Sequence, residues 1–144
     1  MGSMREKVQK ERSTNIILTA EKNQMYFPED HYPHKLDIEA MREAADYMIG
    51  PKNFTSFTDD SENKDPVRRV TNIKIVSNGE KLRITYYGTG FMYHMVRIMT
   101  GTLLEVGTGE REASMIPVVI AAEDRSLAGF LAPARGLFLR KVYY

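Results

Sequence analysis

One arginine, Arg97, stands in the middle of an otherwise apolar run, Gly88-Thr-Gly-Phe-Met-Tyr-His-Met-Val-Arg-Ile-Met-Thr-Gly-Thr-Leu-Leu-Glu-Val-Gly107. Phe91, Met95, Ile98, Thr102 and Val106 recur at helical spacing, and His94, Arg97 and Gly101 share a second stripe at i, i+3 and i+7. A guanidinium cannot shed its charge. Left unpaired in low dielectric, it costs more than the surrounding packing returns. Three arrangements satisfy it: the head in water with its methylenes on apolar surface, a pair with a carboxylate of the same chain, or an anion brought from elsewhere. The third makes the helix a device for presenting a cation. Gly101, one turn on, leaves room for another backbone or a ligand. A lone histidine such as His94 reads as a solvated or satisfied residue before it reads as a catalyst.

Other chemistries find little support. The chain has no cysteine, which removes disulfides, thiolate zinc sites and cysteine nucleophiles, and fits a reducing compartment; the cytoplasm is the expected location. His31, His34 and His94 lack metal-ligand spacing, although a turn could bring His31 to His34. Gly88-Thr-Gly90 lacks the third glycine and the acidic residue of a dinucleotide fingerprint. No apolar run approaches a membrane span, and Met1-Gly-Ser reads as a cloning remnant.

The net charge is +1, yet the charges are sorted. Pro66 to Leu104 holds Arg68, Arg69, Lys74, Lys81, Arg83 and Arg97 against Glu80 alone, whereas Thr58 to Asp65 is acidic. Such segregation allows a positive face on a nearly neutral molecule. A solvated surface accounts for the same pattern.

At 144 residues the chain is one domain of ordinary size. Residues 1–30 are weakly patterned, with one short strand expected at 15–19 and a loose first dozen. Asp37 is placed to cap a helix over 38–49, stopped by Gly50-Pro51. Residues 67–77 and 80–88 read as a hairpin about Asn78-Gly79 in a type I′ turn. That turn pairs Ile75 with Leu82 and Ile73 with Ile84, and sets Lys74 opposite Arg83, where like charges repel unless an anion or water intervenes. Ser114 is placed to cap a short helix through Ala122, and 136–144 alternate as a last strand. A hairpin, a helix pair and a returning strand predict an α+β fold: an antiparallel sheet with helices packed on one face, the other face open to a ligand.

Five segments, in order, resemble the tRNA pseudouridine synthase A family. Asn53-Phe-Thr-Ser-Phe57 is similar to its Phe-Ser-Ser-Phe segment, and Asp65-Pro-Val-Arg-Arg-Val70 to its Ser-Pro-Val-Arg lead into the hairpin. Gly90 to Gly107 resembles the signature helix almost position by position. Glu123-Asp-Arg125 and Ala132-Pro-Ala-Arg-Gly-Leu-Phe-Leu139, ending in Val142-Tyr-Tyr144, complete the order, and Tyr32 to Asp37 resembles the lead into this domain. The likeness runs from residue 31 to the end, so 31–144 is expected to be the C-terminal domain of such a synthase.

That resemblance implies isomerisation of uridine to pseudouridine in the tRNA anticodon arm, with no metal, nucleotide or redox cofactor. An aspartate cleaves the glycosidic bond, the uracil turns, and it rejoins through carbon. The arginine of the family's Met-Val-Arg motif holds that aspartate ionised, and the matching residue is Arg97. The target base must leave its stack, so phosphate and base contacts are also expected; Arg68, Arg69, Lys74, Arg83, Tyr93 and His94 are the candidates, with Leu139 packing near the uracil. The family's Arg-Thr-Asp-x-Gly nucleophile motif and its stacking tyrosine are not found in these 144 residues. The chain is therefore expected to be the C-terminal half, inactive alone, with tRNA and a missing N-terminal half as partners and a homodimer in the full-length protein. A non-catalytic RNA-binding module is the competing reading, and a protein-binding α+β domain a third.

Overall fold

A computed structural model of the protein describes residues 15–28, 32–60 and 62–143. Five antiparallel strands form one sheet: β1 (Asn15–Glu21), β2 (Gly50–Asn53), β3 (Val67–Asn78), β4 (Lys81–Gly88) and β5 (Leu137–Tyr143), in the order β2-β3-β4-β1-β5. Three α-helices, α1 (Ile38–Asp46), α2 (Met95–Thr108) and α3 (Ile116–Ala122), complete the predicted α+β arrangement. The weakly patterned start of the chain supplies β1, an inner strand between β4 and β5. His31 and Asp30 lie outside the described residues.

The hairpin register differs from the predicted one. Asn78 pairs with Lys81, so the two-residue turn is Gly79-Glu80 rather than Asn78-Gly79, and Ile75 faces Ile84 while Ile73 faces Tyr86. A type I′ turn needs positive φ at both central residues; here Gly79 has φ 63° and Glu80 is not left-handed, as in a type II′ turn with glycine first. The slip moves the pairing by two positions, so each side chain keeps its face. Lys74 now stands opposite Thr85, and Arg83 opposite Val76, which removes the expected repulsion.

Strand parity sorts the sheet. Leu82, Ile84 and Tyr86 of β4, with Ile75 of β3 and Ala20 of β1, are buried beneath the helices. Lys74, Lys81 and Arg83 lie exposed on the opposite face. Helix α2 is buried almost all round, as a helix enclosed on several sides must be. Its two buried threonines turn their hydroxyls onto the preceding turn, Thr100 to Val96 and Thr102 to Ile98, both at 2.8 Å. Since the one proton of Thr100 is used there, the bond of 2.7 Å to the buried Tyr86 has the phenol as donor. Burial pushes the Tyr86 phenol far above its ordinary pKa, so it remains a donor.

Asp37 caps α1 as expected, accepting from the Ala40 N–H at 3.1 Å. The helix ends at Asp46, and Gly50-Pro51 opens strand β2 instead of merely stopping a helix. Ser114 caps nothing: it lies in a 3-10 turn over Ala113–Met115, which leads directly into α3 with Pro117 in its first turn.

Candidate active site

Arg97 is the third residue of α2, in the first turn of that helix. It is half-buried. Its Nε donates to the Ala132 carbonyl at 2.7 Å, and the Ala132 N–H donates back to the Arg97 carbonyl at 3.1 Å. No carboxylate lies within 4.0 Å of it among the described residues. Nor is any buried side-chain polar atom there without a partner, so its two terminal nitrogens, which hold no bond to the described residues, reach the surface. The guanidinium is thus fixed at Nε and open at the end that makes bidentate contacts with carboxylates.

A strap over residues 128–132 provides that fixation. It lies along α2 so closely that a Cβ on Gly101 would sit 1.8 Å from the Phe130 carbonyl oxygen, and one on Gly129 would sit 2.7 Å from the Thr102 Cα. The room at Gly101 is used by a backbone, which decides between the two uses open to that glycine. The Gly129 N–H donates to the Thr102 hydroxyl at 2.8 Å, and the Phe130 N–H to Glu105 at 2.9 Å. Glu105 is held in turn by Arg111 at 3.0 Å. The N–H groups of Gly129, Phe130 and Ala132 thus each find a partner on the helix.

His94 does not share a helical stripe with Arg97. It is the N-cap residue of α2 in the left-handed conformation, φ 63°. That conformation costs a non-glycine residue roughly 1–2 kcal/mol, though histidine tolerates it better than most. Its Nδ1 lies 2.7 Å from Asp59, and the other oxygen of Asp59 accepts from the Arg125 Nε at 2.8 Å. The hydrogen bond to His94, and after it the Arg125 guanidinium, hold the Asp59 carboxyl below its ordinary pKa against the opposing effect of burial. The sequence assigns neither Asp59 nor Arg125 a role at the site, although Arg125 belongs to one of the segments that carry the resemblance. Nothing in the order of the chain brings residue 59 to residue 125, and an acidic run reads first as a solvated loop.

The remaining candidates divide into two groups. Arg68 lies beside the segment leading into α2, with its Cδ and Nε 3.8 Å from where a Cβ on Gly90 would be, and it is tied to Asp65. Arg69 is exposed and accepts the Thr89 N–H on its carbonyl at 3.0 Å. Arg68 and the Arg69 carbonyl thus adjoin the Thr89–Gly90 segment, which leads on to Tyr93, His94 and Arg97. Arg83 is five residues before Gly88 along β4, roughly 17 Å away at strand rise, and on the face remote from the helices. Its charge is already met: Glu21 accepts from Arg83 at 2.9 Å and from Arg140 at 3.1 Å. Lys74 shares that open face. Leu139 on the edge strand β5 is 62% exposed, an apolar side chain with no cover of its own. Among the described residues no three of His, Asp and Glu gather as metal ligands, and no helix is long and apolar enough to cross a membrane.

A buried helix in an α+β domain thus presents one guanidinium fixed at Nε. The family model for tRNA pseudouridine synthase matches residues 44–144, and the chain belongs to that family. It is 46% identical over 117 residues to tRNA pseudouridine synthase A of Bacillus pumilus, covering 79% of this chain and 47% of the relative. Against tRNA pseudouridine synthase A of Anoxybacillus flavithermus the identity is 44% over 115 residues, 79% of this chain and 47% of the relative. With tRNA pseudouridine synthase A 2 of Clostridium tetani it is 42% over 115 residues, covering 79% and 46%. The chain spans about half the length of the curated relatives it matches.

Proposed function

We propose that this chain is the C-terminal part of a tRNA pseudouridine synthase, and that Arg97 pairs with a nucleophilic aspartate carried on a segment outside these 144 residues. The observation that carries this reading is the state of Arg97: clasped at Nε by Ala132, its two terminal nitrogens open at the surface, and no carboxylate of the described chain in reach. An ion pair there keeps an attacking carboxylate ionised through the step that breaks the glycosidic bond, and a pre-fixed fork does so with little reorganisation.

On this reading Arg68 and Arg69 contact RNA near the target nucleotide, while Lys74 and Arg83 meet the phosphate backbone further along the open face. Leu139 packs against the uracil. The substrate is tRNA, the full-length protein pairs as a homodimer, and the reaction takes place in the cytoplasm.

Turnover on unmodified tRNA, read by detection of pseudouridine, tests the proposal in two arms. The chain alone is expected to form no product above background. In a protein carrying both halves, Arg97→Ala is expected to abolish turnover with a modest loss of tRNA binding. Product from the chain alone, or full turnover by the Arg97→Ala protein, overturns the assignment; a binding defect without any turnover to lose marks a non-catalytic RNA-binding module.

A further inference from the structure

We propose that the outer face of the Tyr93 ring is a stacking platform for one unpaired RNA base, held rigid by His94, Asp59 and Arg125 as positioning residues. The inference rests on the reading of the chain as part of a tRNA-modifying enzyme.

Tyr93 is 62% exposed, whereas Met92 and Met95 beside it in sequence are buried. Its ring lies on that of His94 with centroids 3.7 Å apart and planes 24° apart, a near-parallel stack. One face of the phenol is therefore covered by the imidazole, and among the described residues no second aromatic ring meets the other. The backbone under it is pinned, because the Thr58 hydroxyl donates to the Tyr93 carbonyl at 2.9 Å.

The imidazole cannot turn away without breaking a chain of bonds. His94 Nδ1 is tied to Asp59 at 2.7 Å, Asp59 to Arg125 Nε at 2.8 Å, and Arg125 Nη1 to the Gly129 carbonyl at 2.9 Å, on the strap that also fixes Arg97. The left-handed conformation at His94 turns the chain so that rings 93 and 94 stack instead of following the helix. This arrangement holds an exposed ring in one orientation, which a surface tyrosine does not require for folding.

Chemistry favours a base over a protein partner. Beside the ring in sequence, Phe91 is half-buried and Met92 and Met95 are inside. Two arginines accompany this segment: Arg97 four residues on in sequence, and Arg68 beside Gly90. An aromatic plane flanked by cations is the pairing that single-stranded RNA requires, the ring for a base and the charges for phosphate.

Titration of the chain with a short RNA stem-loop carrying 2-aminopurine in the loop tests this, following affinity and fluorescence quenching over a range of salt. Tyr93→Phe is expected to keep both signals. Tyr93→Ala is expected to lose roughly 5- to 150-fold in affinity together with the quenching. The slope of log K against log salt should not change, since no phosphate contact is removed. His94→Gly, which accepts the positive φ, and Asp59→Asn are expected to lower quenching with Tyr93 still present. Unchanged affinity and quenching in Tyr93→Ala, while Arg68→Ala weakens binding and lowers the salt slope, overturns the platform and leaves the synthase reading standing. A Tyr93→Ala effect on oligomeric state instead of quenching assigns the ring to a protein contact and overturns the proposal. Absence of any RNA binding by the unsubstituted chain at low salt overturns the platform.

Discussion

Arg97 and Ala132 hold each other twice, side chain to carbonyl at 2.7 Å and carbonyl to N–H at 3.1 Å. The guanidinium is thereby fixed by backbone, which carries no net charge and leaves the full positive charge for a partner. Lysine would keep the charge but lose both the Nε donor and the fork. In a protein carrying both halves, Arg97→Lys is expected to lower turnover by about 10²-fold or more while the fold persists; pseudouridine formation and circular dichroism together check it.

Gly101→Ala forces a methyl group onto the Phe130 carbonyl, a contact no rotamer change can relieve because the Cβ position is set by the helix backbone and the carbonyl is itself backbone. The expected cost is at least about 1–3 kcal/mol in urea unfolding. Turnover of the two-half protein should fall as well, since the displaced strap carries Ala132.

Tyr86→Phe removes the phenol that donates to Thr100 but leaves Thr100 bonded to Val96. The loss is expected to be modest, about 1 kcal/mol. Thr100→Val leaves the buried phenol without an acceptor and should cost more, so the order of the two midpoints in thermal unfolding is the test.

The depressed pKa of Asp59 has a defined sign. Its carboxylate contributes stability above the unfolded value near 4, and this contribution is lost as the pH falls through the lower folded value. Asp59→Asn is therefore expected to flatten the acid limb of stability below about pH 4 and to be less stable than the parent at neutral pH. Parallel denaturant titrations across that range would refute the assignment if the two limbs kept the same slope.

Lys74 and Arg83 share the open face but differ in what already binds them. Arg83 is paired with Glu21, and Lys74 has no carboxylate within 4.0 Å among the described residues. Lys74→Ala is expected to reduce the salt slope of tRNA binding by about 1, and Arg83→Ala by less, because removing Arg83 also frees Glu21.

The architecture was legible where local patterns are strong: the Asp37 cap, the two hairpin strands and the apolar helix around Arg97 all form close to where the residues predict. The hairpin turn was not, because Asn-Gly signals a type I′ turn only if both central residues turn left-handed, and here Gly79 alone does so. Strand β1 escaped notice as an inner strand because seven residues without clean alternation carry little signal until their two partners are known. At the site, Arg97 announced itself by being charged in an apolar run. Its anchor Ala132 did not, since a carbonyl has no side-chain signature, and the His94–Asp59–Arg125 chain joins residues from three separate stretches.

Strand β5 touches the sheet through β1 alone, with Asn15 beside Tyr143. Residues 137–143 thus find their place only against residues 15–20, far away in the sequence. Until they dock, β1 keeps one edge unpaired. An exposed strand edge of this kind is prone to capture by other chains, so yield of soluble protein should depend on how quickly the two strands meet.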